Sequence, residues 1–377
     1  MQFEQYPFEK LNELLENNPT LCELDAINLT IGEPQFQTPH FIQEEFIKST
    51  PLLNKYPKTA GESELKLAML GFIQRRFGIT LEVDELIPTF GTREVLFNFP
   101  QFFLSEFENP QMACPNPFYQ IYEGAAIASK AKLHFLHLND ENGFRPDPND
   151  ARLKDCNLVI INTPNNPTAS VLSLKELQEW VRSAIENDFV LLSDECYSEI
   201  YFDEKPHSLL DAAHSVGNTK LKNILVVNSL SKRSSAPGLR SGFIAGDKTI
   251  LKKYMQYRTY VGAASPLPLQ RAATIAWSYD DHVEDSRKVY EQNMKLARSI
   301  LGITPPEATF YIWLKVNDDL EFTKALYKNY NVKVLPGSFL GREGAGKGYV
   351  RIALVENPTK TRDALTRIKH TLDAMNG

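Results

Sequence analysis

"NILVVNSLSKRSSAPGLRSGF" (residues 223–243) joins an apolar run to a polar loop that is rich in hydroxyl groups. The run ILVV at 224–227 is typical of a short strand that is buried on both faces of a sheet. It leads directly into Ser229, Ser231 and Lys232, and Arg240 follows eight residues after the lysine. The stretch therefore predicts an amine, two hydroxyls and a guanidinium beyond the carboxyl end of a buried strand, where open parallel sheets bind their ligands.

Short apolar runs alternate with helical stretches from about residue 85 to 245. NLVIIN (157–162) and FVLLSDE (189–195) predict two further buried strands. Between them, SLKELQEWVRSAIEN predicts an amphipathic helix that starts at a capping box formed by Ser173 and Glu176. This order predicts an α/β fold with a mainly parallel sheet between two layers of helices.

The pattern changes after about residue 280, where a long helix over 283–301 leads into TFYIWLKV, a helix over 321–330, VKVLPG, YVRIAL and a closing helix. This mixture predicts a smaller α+β domain. We expect residues 1–45 to pack with residues 281–377 in that domain, and residues 46–280 to form the large domain.

The composition of the 377-residue chain excludes several classes of protein. Hydrophobic residues make up 42% and charged residues 23%, as in ordinary soluble enzymes, and the net charge of −6 argues against a nucleic-acid or anionic-membrane partner. No window approaches the 18 apolar residues of a membrane span. The four cysteines form no CxxC pair, which favours a reduced, cytoplasmic chain, and the histidine spacing predicts no metal site.

Polar groups follow each predicted strand and should meet at one edge of the sheet, because the strands run parallel. They are Gly91, Thr92 and Arg93 after DELIPTF (84–90), Asn166 after NLVIIN, Asp194 and Tyr197 after FVLLS, and Ser229, Ser231 and Lys232 after ILVVN. Each residue alone has an ordinary structural explanation, such as a helix cap for Asp194 or a surface ion pair for Arg240. Their common placement after buried strands points instead to a shared site.

Together these groups predict a pocket for pyridoxal phosphate. The amine of Lys232 can condense with an aldehyde, and a carboxylate such as Asp194 can keep the pyridine nitrogen protonated. Asn166 and Tyr197 could both donate to the 3-oxygen of the ring. The phosphate needs a helix N-terminus, hydroxyls and a guanidinium, which are supplied by Gly91, Thr92 and Arg93 at the start of a helix and by Ser229, Ser231 and Arg240.

The chain resembles the class I and II aminotransferases, the fold-type I enzymes that use pyridoxal phosphate. The resemblance is carried by SLSKRSSAPGLRSG (229–242), NNPT (165–168), SDECYSEIYF (193–202), YPKTAGESELKLAM (56–69), YVRIAL (349–354) and LTIGEP (29–34). It implies that Tyr56 reaches the phosphate of the neighbouring subunit of a homodimer. It also implies that Arg351 binds the substrate α-carboxylate, that Gly32 belongs to an N-terminal loop that lies over the substrate, and that Asn166 is a further substrate-binding residue. The sequence departs from the family at Ala169, where glycine is usual.

PNPFYQIYEGAA (115–126) and YRTYVGAAS (257–265) add a narrower likeness to N-succinyldiaminopimelate aminotransferases. This resemblance implies that Tyr119 stacks on the cofactor ring, with Lys232, Asp194 and Tyr197 as catalytic residues. The expected reaction is amino transfer between N-succinyl-LL-2,6-diaminopimelate and 2-oxoglutarate, in lysine and diaminopimelate synthesis. The alternatives are a broader aspartate, aromatic or LL-diaminopimelate aminotransferase, or a C–S lyase that uses the same lysine and aspartate.

Two further features concern the substrate side of the cleft. Arg93 and Arg258 are guesses for a partner to a distal carboxylate. GREGAGKGY (341–349) nearly spells a phosphate-binding P-loop, but Gly348 stands where Ser or Thr is needed, and a strand rather than a helix is predicted next. We therefore interpret this segment as a mobile loop beside the cleft.

Overall fold

The computed structural model describes residues 2–376. Its α-helices are α1 (Pro7–Glu16), α2 (His40–Ser49), α3 (Ser63–Phe77), α4 (Thr92–Leu104), α5 (Ile121–Ala128), α6 (Leu174–Glu186), α7 (Leu209–Ser215), α8 (Leu230–Arg233), α9 (Lys248–Val261), α10 (Leu267–Ser278), α11 (Asp281–Leu301), α12 (Asp319–Tyr330) and α13 (Pro358–Asn376). Its strands are β1 (Ile27–Asn28), β2 (Leu86–Thr89), β3 (Gln111–Asn116), β4 (Lys132–His137), β5 (Leu158–Asn162), β6 (Val190–Asp194), β7 (Ile224–Ser229), β8 (Gly242–Gly246), β9 (Tyr311–Lys315), β10 (Val332–Lys333), β11 (Leu335–Pro336) and β12 (Tyr349–Ala353).

A seven-stranded sheet forms the centre of the molecule. Its strand order is β2-β8-β7-β6-β5-β3-β4, and all neighbours are parallel except β8, which runs antiparallel to both β2 and β7. This confirms the predicted α/β class with a mainly parallel sheet. The antiparallel β8 follows the loop that carries Lys232 and Arg240, so the chain turns back at the edge where the polar groups were predicted to meet.

The central strands are buried on both faces, as their apolar sequences require. In β5, Leu158 and Ile160 pack into one apolar cluster, whereas Val159 and Ile161 pack into the cluster on the opposite face. Side chains alternate across a strand, so a run without polar residues must have apolar neighbours on both sides. The helix layers supply those neighbours; Trp180 of α6 is one, and it is fully buried.

The predicted capping box begins α6. The Ser173 hydroxyl accepts from the main-chain N–H of Glu176 at 3.3 Å, and the Glu176 carboxylate accepts from the N–H of Ser173 at 2.8 Å. This reciprocal pair satisfies two N–H groups that a helix start otherwise leaves unbonded. It fixes where the chain turns after the loop containing Asn166.

The C-terminal part of the chain builds a second, smaller sheet. Strands β11, β12 and β9 form an antiparallel three-stranded sheet, and β1 near the N-terminus pairs in parallel with β10. Ile27 and Leu29 share an apolar cluster with Ile312 and Ile352, whereas Ile42 of α2 belongs to a cluster of the central sheet. The division into residues 46–280 and residues 1–45 with 281–377 remains a proposal.

No helix within residues 2–376 combines the length and the apolar character needed to cross a bilayer.

A buried ion pair joins α4 to α9 beside the central sheet. The Arg258 guanidinium is fully buried and donates to Glu94 at 2.8 and 3.1 Å, while the Glu94 side chain is only 7% exposed. Arg258 also donates to the carbonyls of Pro88 at 3.2 Å and Ala263 at 2.8 Å. Loss of the carboxylate would leave a buried cation without a counter-charge, which is strongly unfavourable.

We expect Glu94→Ala to lower the free energy of unfolding of the apo-protein by about 3–5 kcal/mol, because Arg258 would remain buried and unpaired. Urea unfolding measures the change. Glu106→Ala is the matched control, since Glu106 faces Lys253 at 3.7 Å with both side chains more than half exposed; it should cost less than about 1 kcal/mol. Equal effects of the two substitutions would contradict the assignment of a structural role to the buried pair.

Candidate active site

The carboxyl ends of β5, β6 and β7 and the start of α4 open into one cavity of about 910 Å³. Side chains from α1 and from the second sheet also line it. Twelve of the predicted site residues line this cavity: Gly32, Thr92, Arg93, Tyr119, Asn166, Asp194, Tyr197, Ser229, Ser231, Lys232, Arg240 and Arg351. Of the other two, Gly91 is packed so closely against Arg240 that a Cβ would not fit, and Tyr56 lies at the surface with its side chain fully exposed.

Lys232 lies in α8, the single helical turn that follows β7. The hydroxyl of Ser229 caps this turn by accepting from the N–H of Ser231 at 3.3 Å. The Lys232 ammonium donates to the main-chain carbonyl of Gly32, which brings the N-terminal segment over the cavity. Desolvation by the surrounding protein lowers the pKa of Lys232 from 10.5 to about 8. The amine is therefore available as a nucleophile or base near neutral pH.

Asp194 ends β6 and is buried at the floor of the cavity. Its carboxylate accepts from the Tyr122 hydroxyl at 2.8 Å and from the main-chain N–H of Cys196 at 3.2 Å. Burial raises the pKa of Asp194, and the bonds from Cys196 and Tyr122 offset part of that shift. A cation placed beside this carboxylate would favour its charged form.

An anion cradle lies at the start of α4. Gly91, with φ of +76°, is the N-cap residue, so the first N–H groups of the helix have no partner within the helix. A Cβ at Gly91 would lie 2.4 Å from Nη2 of Arg240, which shows how closely the guanidinium packs on this turn. Arg240 itself is held by a bond from Nη1 to the carbonyl of Pro237 at 2.7 Å. The cradle thus combines helix N–H groups, a guanidinium and the hydroxyls of nearby serines, which suits a phosphate dianion.

Arg351 of β12 reaches the cavity from the second sheet. Its Nη1 donates to Oδ1 of Asn166 at 2.6 Å, and its guanidinium carbon lies 4.5 Å from the ring centroid of Tyr311. Nε of Arg351 is buried and has no partner within the described residues. An unpaired buried donor on a planar guanidinium is suited to a carboxylate ligand.

Asn166 and Tyr197 lie on the same side of the cavity, near Arg351. Since the amide oxygen of Asn166 accepts from Arg351, its amide N–H₂ group is the donor that remains. The Tyr197 hydroxyl contacts the Tyr311 hydroxyl at 3.0 Å, and burial raises the pKa of Tyr197 well above its usual range. The phenol therefore stays protonated and can donate a hydrogen bond.

The sequence analysis missed three contributors to the site. Tyr122 of α5 donates to Asp194, and its closeness in sequence to Tyr119 was an available signal. Asn162 at the end of β5 donates to the main-chain carbonyl of Asp194 at 2.8 Å and accepts from the N–H of Asn166 at 2.7 Å. Tyr311 comes from a distant strand, and no local pattern connects it to this cavity.

Two expectations on the substrate side are settled by geometry. Arg258, one of the two guesses for a distal carboxylate, is wrong for that role, because it is buried against Glu94 and does not line the cavity. Arg93, the other guess, does line it. The segment 341–349 is followed by β12 and not by a helix, as expected, so the P-loop interpretation stays excluded. Its mobility remains a prediction.

Within residues 2–376, no three or more His, Cys, Asp or Glu side chains lie together as a metal site would require.

Ala169, which replaces the usual glycine, adopts the left-handed conformation with φ of +62°. This conformation costs a residue with a Cβ roughly 1–2 kcal/mol. The backbone of the loop that carries Asn166 is therefore kept in a conformation suited to glycine, although the glycine is absent.

Comparisons with known proteins agree on one family. The family described as "Aminotransferase class I and II" matches residues 25–368. A Natranaerobius thermophilus protein named LL-diaminopimelate aminotransferase is 32% identical over 381 residues, which cover 96% of this chain and 96% of the relative.

Solved structures show the same likeness. The Helicobacter pylori aminotransferase AspB matches with a TM-score of 0.97 and 49% identity, covering 99% of this chain and 100% of that one. An aminotransferase from Neisseria meningitidis matches with a TM-score of 0.94 and 41% identity, covering 98% of both chains. The similarity therefore extends over nearly the whole chain.

The cavity fits pyridoxal phosphate. The anion cradle beside Gly91 suits the phosphate, the low-pKa amine of Lys232 suits the aldehyde, and the buried carboxylate of Asp194 suits a protonated ring nitrogen. Each of these groups also lacks a counter-ion within the protein: neither Lys232, Arg240 nor Asp194 forms an ion pair within residues 2–376. A ligand with both an anionic and a cationic end would supply those charges.

We expect covalent attachment of pyridoxal phosphate to the apo-protein to become faster with rising pH, with a midpoint at about 8, because only the neutral amine of Lys232 reacts. The visible absorption of the attached cofactor follows the rate. A parallel reaction with a free lysine derivative corrects for titration of the cofactor itself, and Lys232→Ala should show no attachment. A midpoint near the ordinary lysine pKa of 10.5 would contradict the desolvated site.

Proposed function

The chain belongs to the class I and II aminotransferases, and from this we propose that it moves an amino group between N-succinyl-LL-diaminopimelate and 2-oxoglutarate. Enzymes of this family depend on pyridoxal phosphate, and so does this one. The observation that carries the proposal is the single cavity that is lined by the amine of Lys232, the carboxylate of Asp194 and the guanidinium of Arg351, whose Nε has no partner within residues 2–376. Amino transfer needs a group that moves a proton, an electron sink and a grip on the substrate, and these three residues provide them.

When bound, pyridoxal phosphate supplies an aldehyde that condenses with amines and a protonated ring that withdraws electrons from the carbon beside the amine. The anion cradle, with Thr92, Ser229, Ser231 and Arg240, holds its phosphate. Tyr119 would cover the ring, a role that suits a flat aromatic side chain whose hydroxyl has a polar partner, here Arg93. Asn166 would donate to the 3-oxygen through its free amide group, and Tyr197 would do so when the Tyr311 hydroxyl is the donor in the bond between the two phenols.

Asp194 holds the proton on the ring nitrogen. Desolvation raises the pKa of Asp194 because it destabilises the charged carboxylate. A protonated pyridine nitrogen beside the carboxylate would stabilise the charged form again. The hydroxyl of Tyr122 and the N–H of Cys196 fix the carboxylate in place. The carboxylate thereby keeps the ring cationic throughout the reaction.

Lys232 moves the proton from the α-carbon of the substrate. A general base works best when its pKa lies near the operating pH, and desolvation gives Lys232 a pKa of about 8. The neutral amine of Lys232 would accept the proton from the α-carbon, and the resulting ammonium would donate it again later in the reaction. The carbonyl of Gly32 lies within bonding reach and would steady the ammonium form.

Arg351 positions the substrate through the α-carboxylate. Its ring contact with Tyr311 and its bonds to Asn166 and to the main-chain carbonyl of Thr30 hold the guanidinium in place, with Nε free for a ligand. A charge-assisted bond from Nε would fix the position of the substrate carboxylate. The α-carbon is then held close to Lys232.

The choice of substrate rests on resemblance. The motifs around Tyr119, Asp194 and Lys232 resemble those of N-succinyldiaminopimelate aminotransferases. The similar protein from N. thermophilus is named for LL-diaminopimelate, which has the same carbon chain without the succinyl group. That relative makes LL-diaminopimelate aminotransfer the second candidate function.

A half-reaction test separates the candidates. We expect N-succinyl-LL-diaminopimelate and glutamate each to bleach the visible band of the cofactor-loaded protein within one turnover, while LL-diaminopimelate, aspartate and phenylalanine react at least about tenfold more slowly, because the succinyl arm adds binding contacts. Stopped-flow absorbance measures the rates. Fast bleaching by LL-diaminopimelate and none by the succinylated compound would favour the second candidate.

We also propose that the chain forms a homodimer in the cytoplasm. Each active site would contain residues from both subunits. The family resemblance places Tyr56 at the phosphate of the neighbouring subunit, and this residue is fully exposed in the single chain. Tyr260 and Leu53 are also largely exposed, with exposed fractions of 94% and 70%. Large apolar side chains at the surface are typical of an interface. All four cysteines are free thiols, which a reducing compartment preserves.

Hybrid dimers test the shared site. Lys232→Ala and Tyr56→Ala should each be nearly inactive alone, and unfolding and refolding them together should restore activity, because a hybrid carries one site with both native residues. Activity towards the best amino donor measures the gain, with each variant refolded alone as the control. If Tyr56 serves its own subunit, mixing restores nothing.

A further inference from the structure

Arg233 directly follows Lys232 in α8, but its side chain packs outside the cavity. It is not one of the cavity-lining residues, and only 1% of the side chain is exposed. Its guanidinium carbon lies 4.9 Å from the ring centroid of Phe72 in α3 and 5.4 Å from that of Trp277 in α10. The two consecutive cations of the turn therefore have different surroundings, the cavity for Lys232 and the helix layer for Arg233.

The end of α10 binds this guanidinium. Nη1 donates to the main-chain carbonyl of Ala276 at 2.8 Å, and Nη2 donates to that of Tyr279 at 3.0 Å. Nη2 also forms an ion pair with the Asp280 carboxylate. The last carbonyl groups of a helix have no partner within the helix, and a cation beside them is favourable. Arg233 thereby ties the end of α8 to the end of α10 through three groups.

A second arginine, Arg75 of α3, reaches the same end of α10. Its Nη2 donates to the carbonyl of Trp277 at 2.8 Å, and its Nε donates to the Asp280 carboxylate at 2.8 Å. Both arginines therefore stabilise the end of α10. Of the two, only Arg233 connects that end to the turn that carries Lys232, so the connection and not the capping of α10 distinguishes them.

The turn α8 needs contacts from outside because it is too short to hold its own shape. It contains four residues, and so short a helix is unstable by itself. Its start is fixed by the Ser229 cap and by a bond from the N–H of Leu230 to the carbonyl of Ser241 at 3.0 Å. Beyond its end, Ser235 has φ of +46°, a conformation that residues with a Cβ rarely adopt. Arg233 is the last residue of the turn, so its anchor acts where the chain enters this unfavourable conformation.

The position of the Lys232 amine depends on the orientation of the turn. The amine lies at the end of a flexible four-carbon side chain and donates to the carbonyl of Gly32. A small rotation of α8 would move the amine within the cavity, and a displacement of about 1 Å at a reacting group can cost about 100-fold in rate. The anchor of α8 on α10 therefore bears directly on the reactions of the amine.

We propose that Arg233 is a positioning residue for Lys232, which fixes the turn that carries the amine by binding the end of α10. The inference rests on the proposed function, in which Lys232 holds the cofactor and moves the proton of the α-carbon. Arg233 touches neither cofactor nor substrate in this assignment, and it acts through the main chain of α8. The reaction thereby depends on a side chain that lies outside the cavity.

Attachment of pyridoxal phosphate to the apo-protein tests the proposal without an amino acid substrate. Arg233→Lys keeps the charge beside Asp280 but lacks the planar fork, so it cannot bind both carbonyls and the carboxylate together. We expect the pH midpoint of attachment to rise from about 8 by at least about one unit, because the Lys232 amine is no longer held in its desolvated position. The visible absorption of the attached cofactor measures the midpoint.

The cofactor-loaded protein gives a second readout. In the half-reaction with glutamate, we expect Arg233→Lys to slow the bleaching of the visible band at least about tenfold at saturating glutamate, because the amine is displaced from the α-carbon. The glutamate concentration that gives half of the maximal rate should stay within about twofold of the wild-type value, since Arg351 is unchanged. A residue that only stabilised the fold would move neither the attachment midpoint nor the saturating rate of the folded protein.

Arg75→Lys is the matched control, because it weakens the bonds of the other arginine to the same carboxylate and the same helix end. It should leave both readouts at their wild-type values. Asp280→Asn serves if Arg233→Lys does not fold; it removes the ion pair, keeps the bonds to the carbonyls, and should raise the midpoint by a smaller amount.

Wild-type readouts in Arg233→Lys, or equal changes in Arg75→Lys, overturn the proposal. If Arg233→Lys does not fold, an unchanged midpoint in Asp280→Asn overturns it. Failure of the proposed function would appear separately, as a loaded protein whose visible band responds to no amino acid, and the attachment midpoint would still test Arg233.

Discussion

The register of three parallel strands is the constraint on which the site depends. Asn162 of β5 is paired with Asp194 of β6, and Asp194 is paired with Val227 of β7, so the three strands end at nearly the same level. Because all three are buried on both faces, a slip of one residue would exchange the side chains of the two apolar clusters and is strongly disfavoured. The loops that carry Asn166, Asp194 and Lys232 are thereby held at one edge.

Desolvation then gives those groups their chemistry. The same burial that lowers the pKa of Lys232 raises the pKa of Asp194, since in both cases the charged form loses contact with water. Both groups are costly for the apo-protein, and a ligand with a protonated nitrogen and a reactive aldehyde relieves both. The excess of unpaired arginines in the same cavity works in the same direction, because anionic ligands balance it.

The second sheet completes the cavity by long-range contacts. Arg351 and Tyr311 come from neighbouring antiparallel strands and lie against Asn166 and Tyr197, more than a hundred residues away in sequence. Gly32 is also remote in sequence from Lys232, yet its main-chain carbonyl accepts a hydrogen bond from the Lys232 ammonium. A Cβ at Gly32 would lie 1.9 Å from the Tyr311 hydroxyl, so only glycine allows the N-terminal segment to approach this closely.

The fold class and the residues that end each buried strand could be predicted from the sequence alone, because burial on both faces and binding beyond the carboxyl ends of strands depend on short stretches of the chain. Lys232, Asp194 and Asn166 were predicted in this way. Which arginines pair with a carboxylate depends instead on the folded chain: Arg258 is neutralised by Glu94 on another helix, whereas Arg93 forms no ion pair within residues 2–376. Pairing between distant side chains leaves no periodic trace in the sequence, so the partners of Tyr122 and Tyr311, and the charge balance of the cavity, could be established only once the chain was folded.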